Sequence, residues 1–478
     1  MRASPALEGK GQHMYFEELF LEMNEQIKTK ELFEDAKKYA YDYLDSVKGM
    51  DVFPSDSTLS ELSAFSEPVP KGPGSPQEII KLLHDIGSKN TVAQTGGRYF
   101  GFVDGGAAPV ALAAKWLSDV WDQNTALFVI SPIAAKLEEI CEKWVAQLLG
   151  LPENTAAGFV SGSSTAIICG LAAARNELLS RHGWDVSEKG LFGAPPIRVV
   201  ISKQTHSSVW KALSMLGLGK ENAEAVPTDR QGRIRLDKLP PLDSSTLLII
   251  QAGNVNGGAF DPIDELCDIA GKANAWVHID GAFGLWAAAC ENTRFLTKGI
   301  EKADSWPVDA HKTLNAPYDC GIVLCKNRAM LVNAMQATGS YLQYSDNRDG
   351  MLYTPEMSRR ARSIELWATL KYFGKSGVDE LVNRLCAMTS HFAAQLEKHG
   401  FIVENEVVFN QIVMRCEDSN ETTELLKMIQ SSGKCWCGGA TWNNEPVVRI
   451  SVCSWQTTTS DIDECVRLFV ELRKRVNH

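Results

Sequence analysis

A chain of 478 residues is longer than one hydrophobic core usually fills, so two or three packed domains are expected. A net charge of −11 leaves no basic excess to neutralise phosphates, which argues against nucleic acid or an anionic membrane as the main partner. No apolar run approaches the roughly 18 residues that span a bilayer, and the 12 cysteines, without a tight spacing framework, read as reduced thiols in a cytoplasmic setting.

Residues 1–14 are small and polar and lack the apolar centre of a signal peptide, so they read as a disordered leader or a cloning remnant. From residue 15 to about 47, Phe16, Leu19, Phe20 and Met23, then Phe33, Ala36, Ala40, Tyr43 and Leu44, recur at helical spacing. Pro68, Pro70, Pro73 and Pro76 with Gly72 and Gly74 predict an extended stretch. Ser75-Pro76-Gln77-Glu78 then opens a helix, with Ser75 as N-cap and Glu78 completing a capping box. Residues 15–90 are expected to form a helical arm rather than a compact domain.

Residues 91–357 change texture. Short apolar runs at 198–202, 247–251, 276–280, 305–309 and 321–325 are separated in several places by helical stretches, among them 166–179, 209–216 and 263–273. That alternation predicts an α/β domain with a mostly parallel sheet covered on both faces, whose ligands sit at the carboxyl ends of the strands. Residues 358–478 predict a smaller α+β domain: helices at 358–373 and 378–399, strands at 411–415 and 447–452, and a last helix at 460–476. Cys435-Trp436-Cys437 reads as two strand residues facing one side rather than a metal site.

Asp280 closes the run 276–279, and Lys312 follows the run 305–309. A lysine and an aspartate at strand ends are the two groups pyridoxal phosphate needs: one to hold its aldehyde as a Schiff base, one to keep its ring nitrogen protonated. Asp280 also suits an N-cap. His278 shares its strand face, so a buried pair is expected. Gly158-Phe159-Val160-Ser161-Gly162-Ser163-Ser164-Thr165-Ala166 is a hydroxyl-rich turn entering a helix, either a simple cap or a phosphate cradle. His206, in Thr205-His206-Ser207-Ser208, is placed to stack on a ring or merely to start a helix. Asn256 lies in a Gly/Asn loop after residue 251 whose amides reach the cofactor or bond the loop to itself. Arg449 is a candidate ligand for a substrate carboxylate, or an arginine paired within the small domain. Phe100, Phe102, Trp116 and Trp121 could line a side-chain pocket, with core packing the expected role of the two tryptophans.

Together these residues resemble the group II pyridoxal-phosphate decarboxylases, of aspartate aminotransferase fold type I, across roughly residues 90–470. The resemblance rests on His278-Ile279-Asp280-Gly281-Ala282, Asp309-Ala310-His311-Lys312, His206, the 161–166 turn, Asn315-Ala316-Pro317-Tyr318-Asp319-Cys320-Gly321 and Ser358-Arg359-Arg360-Ala361-Arg362. It implies that Lys312 carries pyridoxal phosphate and that Asp280 pairs with the ring nitrogen. It further implies that Ala282 and His206 cover opposite ring faces, and that Ser163 and Ser164 hold the phosphate with His311 nearby. The implied reaction is decarboxylation of an L-amino acid, aromatic ones among the candidates, in a homodimer with the site at the subunit interface and the N-terminal arm on the partner. Many aromatic-branch members carry a proton-donating tyrosine between the lysine and the Arg-Arg motif. Counting back from Arg359-Arg360 puts Gly350 near that slot, leaving Tyr344 and Tyr353 as substitutes. The chain also has Ser163 where many members have glycine, and Gly257 where threonine is common. Another pyridoxal-phosphate reaction (an aldehyde-forming oxidative decarboxylation, an aldolase or an aminotransferase) and a non-catalytic binding protein are the alternatives.

Overall fold

Runs of β-branched and aliphatic residues, apolar on both faces, need cover on both sides, and here they receive it. The computed structural model describes residues 10–336 and 347–476, with side chains from residue 17 onward. Strands are numbered in chain order: β1 Tyr99–Phe100, β2 Ala156–Val160, β3 Arg198–Ser202, β4 Ala223–Val226, β5 Thr246–Gln251, β6 Trp276–Asp280, β7 Ser305–Asp309, β8 Gly321–Cys325, β9 Ile402–Val403, β10 Gln411–Arg415, β11 Trp436–Trp442 and β12 Glu445–Ser451.

Seven of them form one sheet in the order β2-β8-β7-β6-β5-β3-β4. The five from β7 to β4 are mutually parallel, and β8 runs antiparallel to both β7 and β2. Alternate residues feed opposite cores. Val200, Leu248, Ile250, Val277 and Ile279 pack on one side with Trp286 and Trp306. Val199, Ile201, Leu247, Ile249 and Trp276 pack on the other with Ile167, Leu171 and Leu213. The parallel strands point their carboxyl ends at one rim, and Asp280 and Asp309 both lie there.

The second sheet has the order β1-β11-β12-β10-β9. Its pairs are antiparallel except β1 with β11, where Tyr99 lies beside Trp436. The two C-terminal helices expected around 358–399 span Ser363–Lys398 and are separated by a kink at Gly374, whose φ is 57°.

Packing divides the chain into two units: residues up to Ala93 with Ser431–Cys435, and Gln94–Gln430 with the remainder. No break falls at 357, because helix Ser363–Lys398 packs on helices Pro109–Trp121 and Pro132–Leu148. In the first unit, helices Lys10–Thr29 and Glu31–Ser46 meet at Lys30, which is left-handed, and the second buries none of its residues. Ser75 accepts a hydrogen bond from Glu78 N and caps helix Pro76–Leu82.

Trp116 and Trp121 are not core residues: they are 37% and 44% exposed on helix Pro109–Trp121, with Val120 at 78%. An apolar pattern predicts burial without saying how complete it is, and this helix face is only partly covered. Among the described residues, no helix is long and apolar enough to cross a membrane.

Candidate active site

Asp280 ends β6 and Asp309 ends β7, and Ala282 ties the two ends together: its N–H donates to Asp280 Oδ1 at 3.2 Å and its carbonyl accepts from Asp309 N at 2.8 Å. Asp280 is 6% exposed. Burial raises its pKa, against the opposing pull of His206 and Lys312. Among the described residues, no ion pair closes on it. His278 is also buried but does not pair with Asp280, because its Nδ1 is taken by Ser305 Oγ at 2.8 Å.

Lys312 stands on a tightly tied turn. Ala310 N donates to Cys320 O at 2.9 Å, Ala316 N to Ala310 O at 3.0 Å, and Asn315 N to Lys312 O at 3.0 Å. The facing segment approaches so closely that a Cβ on Gly105 would lie 2.1 Å from Lys312 O, which only glycine allows. Lys312 Nζ ends 3.1 Å from Asp309 Oδ2. His311 stacks on Tyr318 at 4.3 Å, and its Nδ1 accepts from Cys320 N at 3.0 Å. An N–H can only donate, so the His311 proton lies on Nε2, which faces Asp309 Oδ2 at 3.6 Å. Burial lowers the His311 pKa and keeps the ring neutral.

Ser163 and Ser164 are the first residues of helix Ser163–Ser180, whose N-cap, Gly162, has no side chain to satisfy the opening N–H groups. Ser164 is exposed, so free N–H donors, the positive helix end and two hydroxyls meet at an open place. Behind it, a Cβ on Gly162 would meet His311 Cε1 at 3.4 Å and Asp309 Oδ1 at 3.8 Å, which puts this turn against the Lys312 segment.

His206 caps helix Ser207–Met215. Ser208 N donates to its Nδ1 at 3.3 Å, so its Nε2 carries the proton. His206 is exposed at its surface, while desolvation by the surrounding protein lowers its pKa; Asp280 opposes that shift, and Lys312 and Arg449 add to it. These four groups therefore act on one another across one cleft. Arg449 on β12 is half-buried, donates Nη1 to Val255 O at 3.3 Å and leaves Nε without a partner. Thr205 Oγ1, Gln251 Nε2, Asn254 Nδ2 and Asp309 Oδ1 are likewise buried without a protein partner. Unsatisfied polar atoms at strand ends mark a place built for a ligand. A buried carboxylate in no ion pair among the described residues, a lysine beyond the next strand and an uncapped helix start fit the ring nitrogen, aldehyde and phosphate of pyridoxal phosphate.

Other expected residues lie elsewhere. The Asn256 loop bonds to itself: Asn254 Oδ1 accepts from Asn256 N at 2.9 Å and Gly257 N at 3.1 Å. Phe102 is 62% exposed and stacks on Trp436 at 5.3 Å, whereas Phe100 is buried against Phe392. Tyr344 lies outside the described residues. Tyr353 departs from the expectation of a free hydroxyl: it is buried, its oxygen accepts from Arg328, and Arg348 covers its ring at 4.0 Å. Gly350 is no vacant tyrosine slot, since a Cβ there would lie 2.5 Å from Arg359 Nη2 and 2.5 Å from Thr125 O. Counting positions assumed a loop of constant length, and the chain instead turns inward there.

Sequence reasoning missed Asp104, Tyr99 and the hub role of Asn315. Tyr318 and Asn315 belong to a motif already singled out, and Asp104 stands in Gly101-Phe102-Val103-Asp104-Gly105-Gly106, where a carboxylate among glycines was the available signal.

The family described as Pyridoxal-dependent decarboxylase conserved domain matches residues 62–417. The protein named acidic amino acid decarboxylase GADL1 from Mus musculus is 29% identical over 342 residues, covering 68% of this chain and 61% of its own length. Tryptophan decarboxylase 2 of Oryza sativa subsp. japonica is 26% identical over 460 residues, 89% of this chain and 90% of that protein. The crystal structure of Oryza sativa TDC with PLP and tryptamine shares the fold, with a TM-score of 0.87 at 20% identity over 95% of this chain and 98% of that one.

Proposed function

From a chain that belongs to the pyridoxal-dependent decarboxylase family and takes pyridoxal phosphate as its cofactor, we propose an enzyme that removes the α-carboxylate of an L-amino acid as carbon dioxide and releases the amine. When bound, the cofactor supplies the electron sink for cleavage at the α-carbon. The chain's residues supply binding, orientation and protons. Lys312 Nζ is the covalent anchor. The Asp280 carboxylate holds a proton at the ring nitrogen. Ser163, Ser164 and the open helix start would hold the phosphate, with neutral His311 behind them, and His206 and Ala282 would pack against the ring. His206 Nε2–H is left to carry a proton to the substrate. Arg449, with an unpartnered Nε, suits the substrate carboxylate bidentately.

The observation that carries this reading is Asp280: a buried carboxylate at a strand end, raised in pKa and in no ion pair among the described residues. Burying a charge that way is costly unless a cation arrives, and a pyridinium N–H is one. Borohydride reduction after adding pyridoxal phosphate should bleach a visible band and fix the cofactor on Lys312; free Lys312 and a colourless protein would defeat the assignment. A panel of L-amino acids should then give carbon dioxide and amine in equal amounts. Aldehyde with peroxide in place of amine would move the reading to an oxidative reaction, and no turnover would leave a binding protein.

A homodimer completes the proposal. Leu19, Phe20, Leu21, Met23, Ile27, Phe33 and Leu44 stand exposed on the N-terminal helices, as a helical arm made for a second chain would leave them. Light scattering should return the mass of two chains, and one chain's mass would overturn it. The cytoplasm is the proposed location, since 12 cysteines without a tight spacing framework suit a reducing setting.

A further inference from the structure

The wall beside Lys312 contains a carboxylate that the reaction does not use. Asp104 is half-buried in the turn after β1. Tyr318 donates its hydroxyl to Asp104 Oδ1 at 2.5 Å, and the charge of the same carboxylate acts on Tyr99. Burial first, and Asp104 after it, push both phenols far above their usual range, so both remain O–H donors. The turn is fixed against the cofactor lysine: Gly105 N donates to His311 O at 3.2 Å and Gly106 N to Asn315 Oδ1 at 2.8 Å. It is also strained, because Phe102 and Val103 both take left-handed φ values, 51° and 74°. Two such residues in succession persist only where the surroundings over-determine them, and they cluster at ligand sites. The charge of Asp104 reaches His311 and Arg449, yet no ion pair joins it to Arg449 among the described residues, so that guanidinium stays free for another anion. Exposed aromatic rings border it: Phe102 two residues before, and Tyr318, 40% exposed, on its oxygen.

We infer that Asp104 sets the side-chain specificity of the site, accepting a hydrogen bond from an L-amino acid whose side chain ends in a donor, neutral or cationic, and repelling one that ends in a carboxylate. The inference rests on the amino-acid decarboxylase reading above. A carboxylate acceptor in the wall of a site favours a substrate that donates to it over one that cannot, and a like charge placed opposite excludes the wrong partner.

The test is kcat/KM for L-tyrosine, L-tryptophan, L-lysine, L-phenylalanine and L-glutamate, with the wild type and Asp104→Asn, both loaded with pyridoxal phosphate. A donor-bearing substrate should exceed phenylalanine by at least about tenfold and glutamate by at least about a hundredfold. The tyrosine and tryptophan arms against the lysine arm separate a neutral donor from a cation. In Asp104→Asn the ratio of the best donor substrate to glutamate should fall at least about tenfold, mainly through KM. Ratios taken within one preparation do not depend on how much of the variant folds. Glutamate or phenylalanine as the best substrate, or ratios unchanged in the variant, would overturn the inference. If no amino acid turns over, the decarboxylase reading fails, and the inference is then decided by binding. Tyramine, tryptamine or cadaverine should perturb the visible band at lower concentration than phenethylamine in the wild type, with that difference lost in Asp104→Asn. Equal binding of all the amines would overturn it.

Discussion

Asn315 and Lys312 form a single hook: both the backbone N–H and the side-chain Nδ2 of Asn315 donate to the Lys312 carbonyl, at 3.0 and 3.3 Å. The same side chain donates to Thr313 O and Cys453 O and accepts from Gly106 N and Trp455 N. Its left-handed φ of 58° is one that asparagine tolerates better than most residues. Asn315→Ala would strand several buried partners and put a residue less tolerant of the left-handed conformation there, so a loss of at least about 3 kcal/mol is expected. Urea unfolding of the apo protein checks it. A loss below about 0.5 kcal/mol, the range of ordinary surface substitutions, would mean that Asn315 does not hold the Lys312 turn.

Asp280 gives a pH-dependent expectation with a definite sign. Burial raises its folded pKa above the ordinary 3.8, so its contribution to apo stability is present below 3.8 and is lost as pH climbs through the raised value. A bound ring N–H gives the ionised form a partner and removes that loss. The thermal stabilisation gained on adding pyridoxal phosphate should therefore grow as pH rises from about 5 to 7 in the wild type, and grow less in Asp280→Asn. The variant's kcat should fall on the order of tenfold to a hundredfold, the worth of one hydrogen bond to a charged group. Equal growth of the stabilisation in both proteins would remove Asp280 from the ring nitrogen.

Much of this was legible in the sequence, and the reasons are local. Five strands, β3, β6, β7, β8 and β10, match the sequence reading residue for residue, because buried strands read as short apolar runs with sharp ends. Asp280 and Lys312 could be found because each follows such a run. Asp104 and Tyr99 could not: β1 is two residues long and pairs with Trp436 and Cys437, far along the chain, so no local period announces it. Trp116 and Trp121 misled because hydrophobicity does not say how complete the burial is. Gly350 misled because its turn is held by contacts with Thr125, Glu138 and Arg359, which no count along the sequence reveals.

Tyr353 and Arg348 separate structural from catalytic roles. Arg348 pairs with Glu138 at 2.9 Å and Glu142 at 2.8 Å, and Arg359 pairs with Glu138 at 2.8 Å, all of them nearly inaccessible. Burial alone would raise the Glu138 carboxyl, but Arg359 and Arg348 outweigh it and hold it low. Arg348→Ala would leave buried carboxylates short of a partner and should cost about 3–5 kcal/mol. Tyr353→Phe loses one hydrogen bond to Arg328, at about 1 kcal/mol, with kcat kept within about threefold. A collapse of kcat in folded Tyr353→Phe would restore that hydroxyl as a proton donor.

His278 should make the fold sensitive to mild acid. It is fully buried, its Nδ1 is taken by Ser305 Oγ, its Nε2 has no partner, and burial pushes its pKa from 6.5 down to about 3. A base with a depressed folded pKa contributes stability that is present above the unfolded value and lost as pH falls toward the folded one. The window is therefore pH 6.5 down to about 3, where the unfolded chain takes up a proton that the folded chain refuses. Between pH 7 and 5 this single group should remove about 2 kcal/mol. Glutamine in its place keeps a polar contact for Ser305 and cannot be protonated. His278→Gln is expected to be less stable at pH 7, where it gives up a fitted ring, yet to lose less stability than the wild type between pH 7 and 5. Denaturant midpoints at the two pH values decide it. Parallel losses in the two proteins would mean that the imidazole is protonated within the fold, or that a neighbouring group carries the titration.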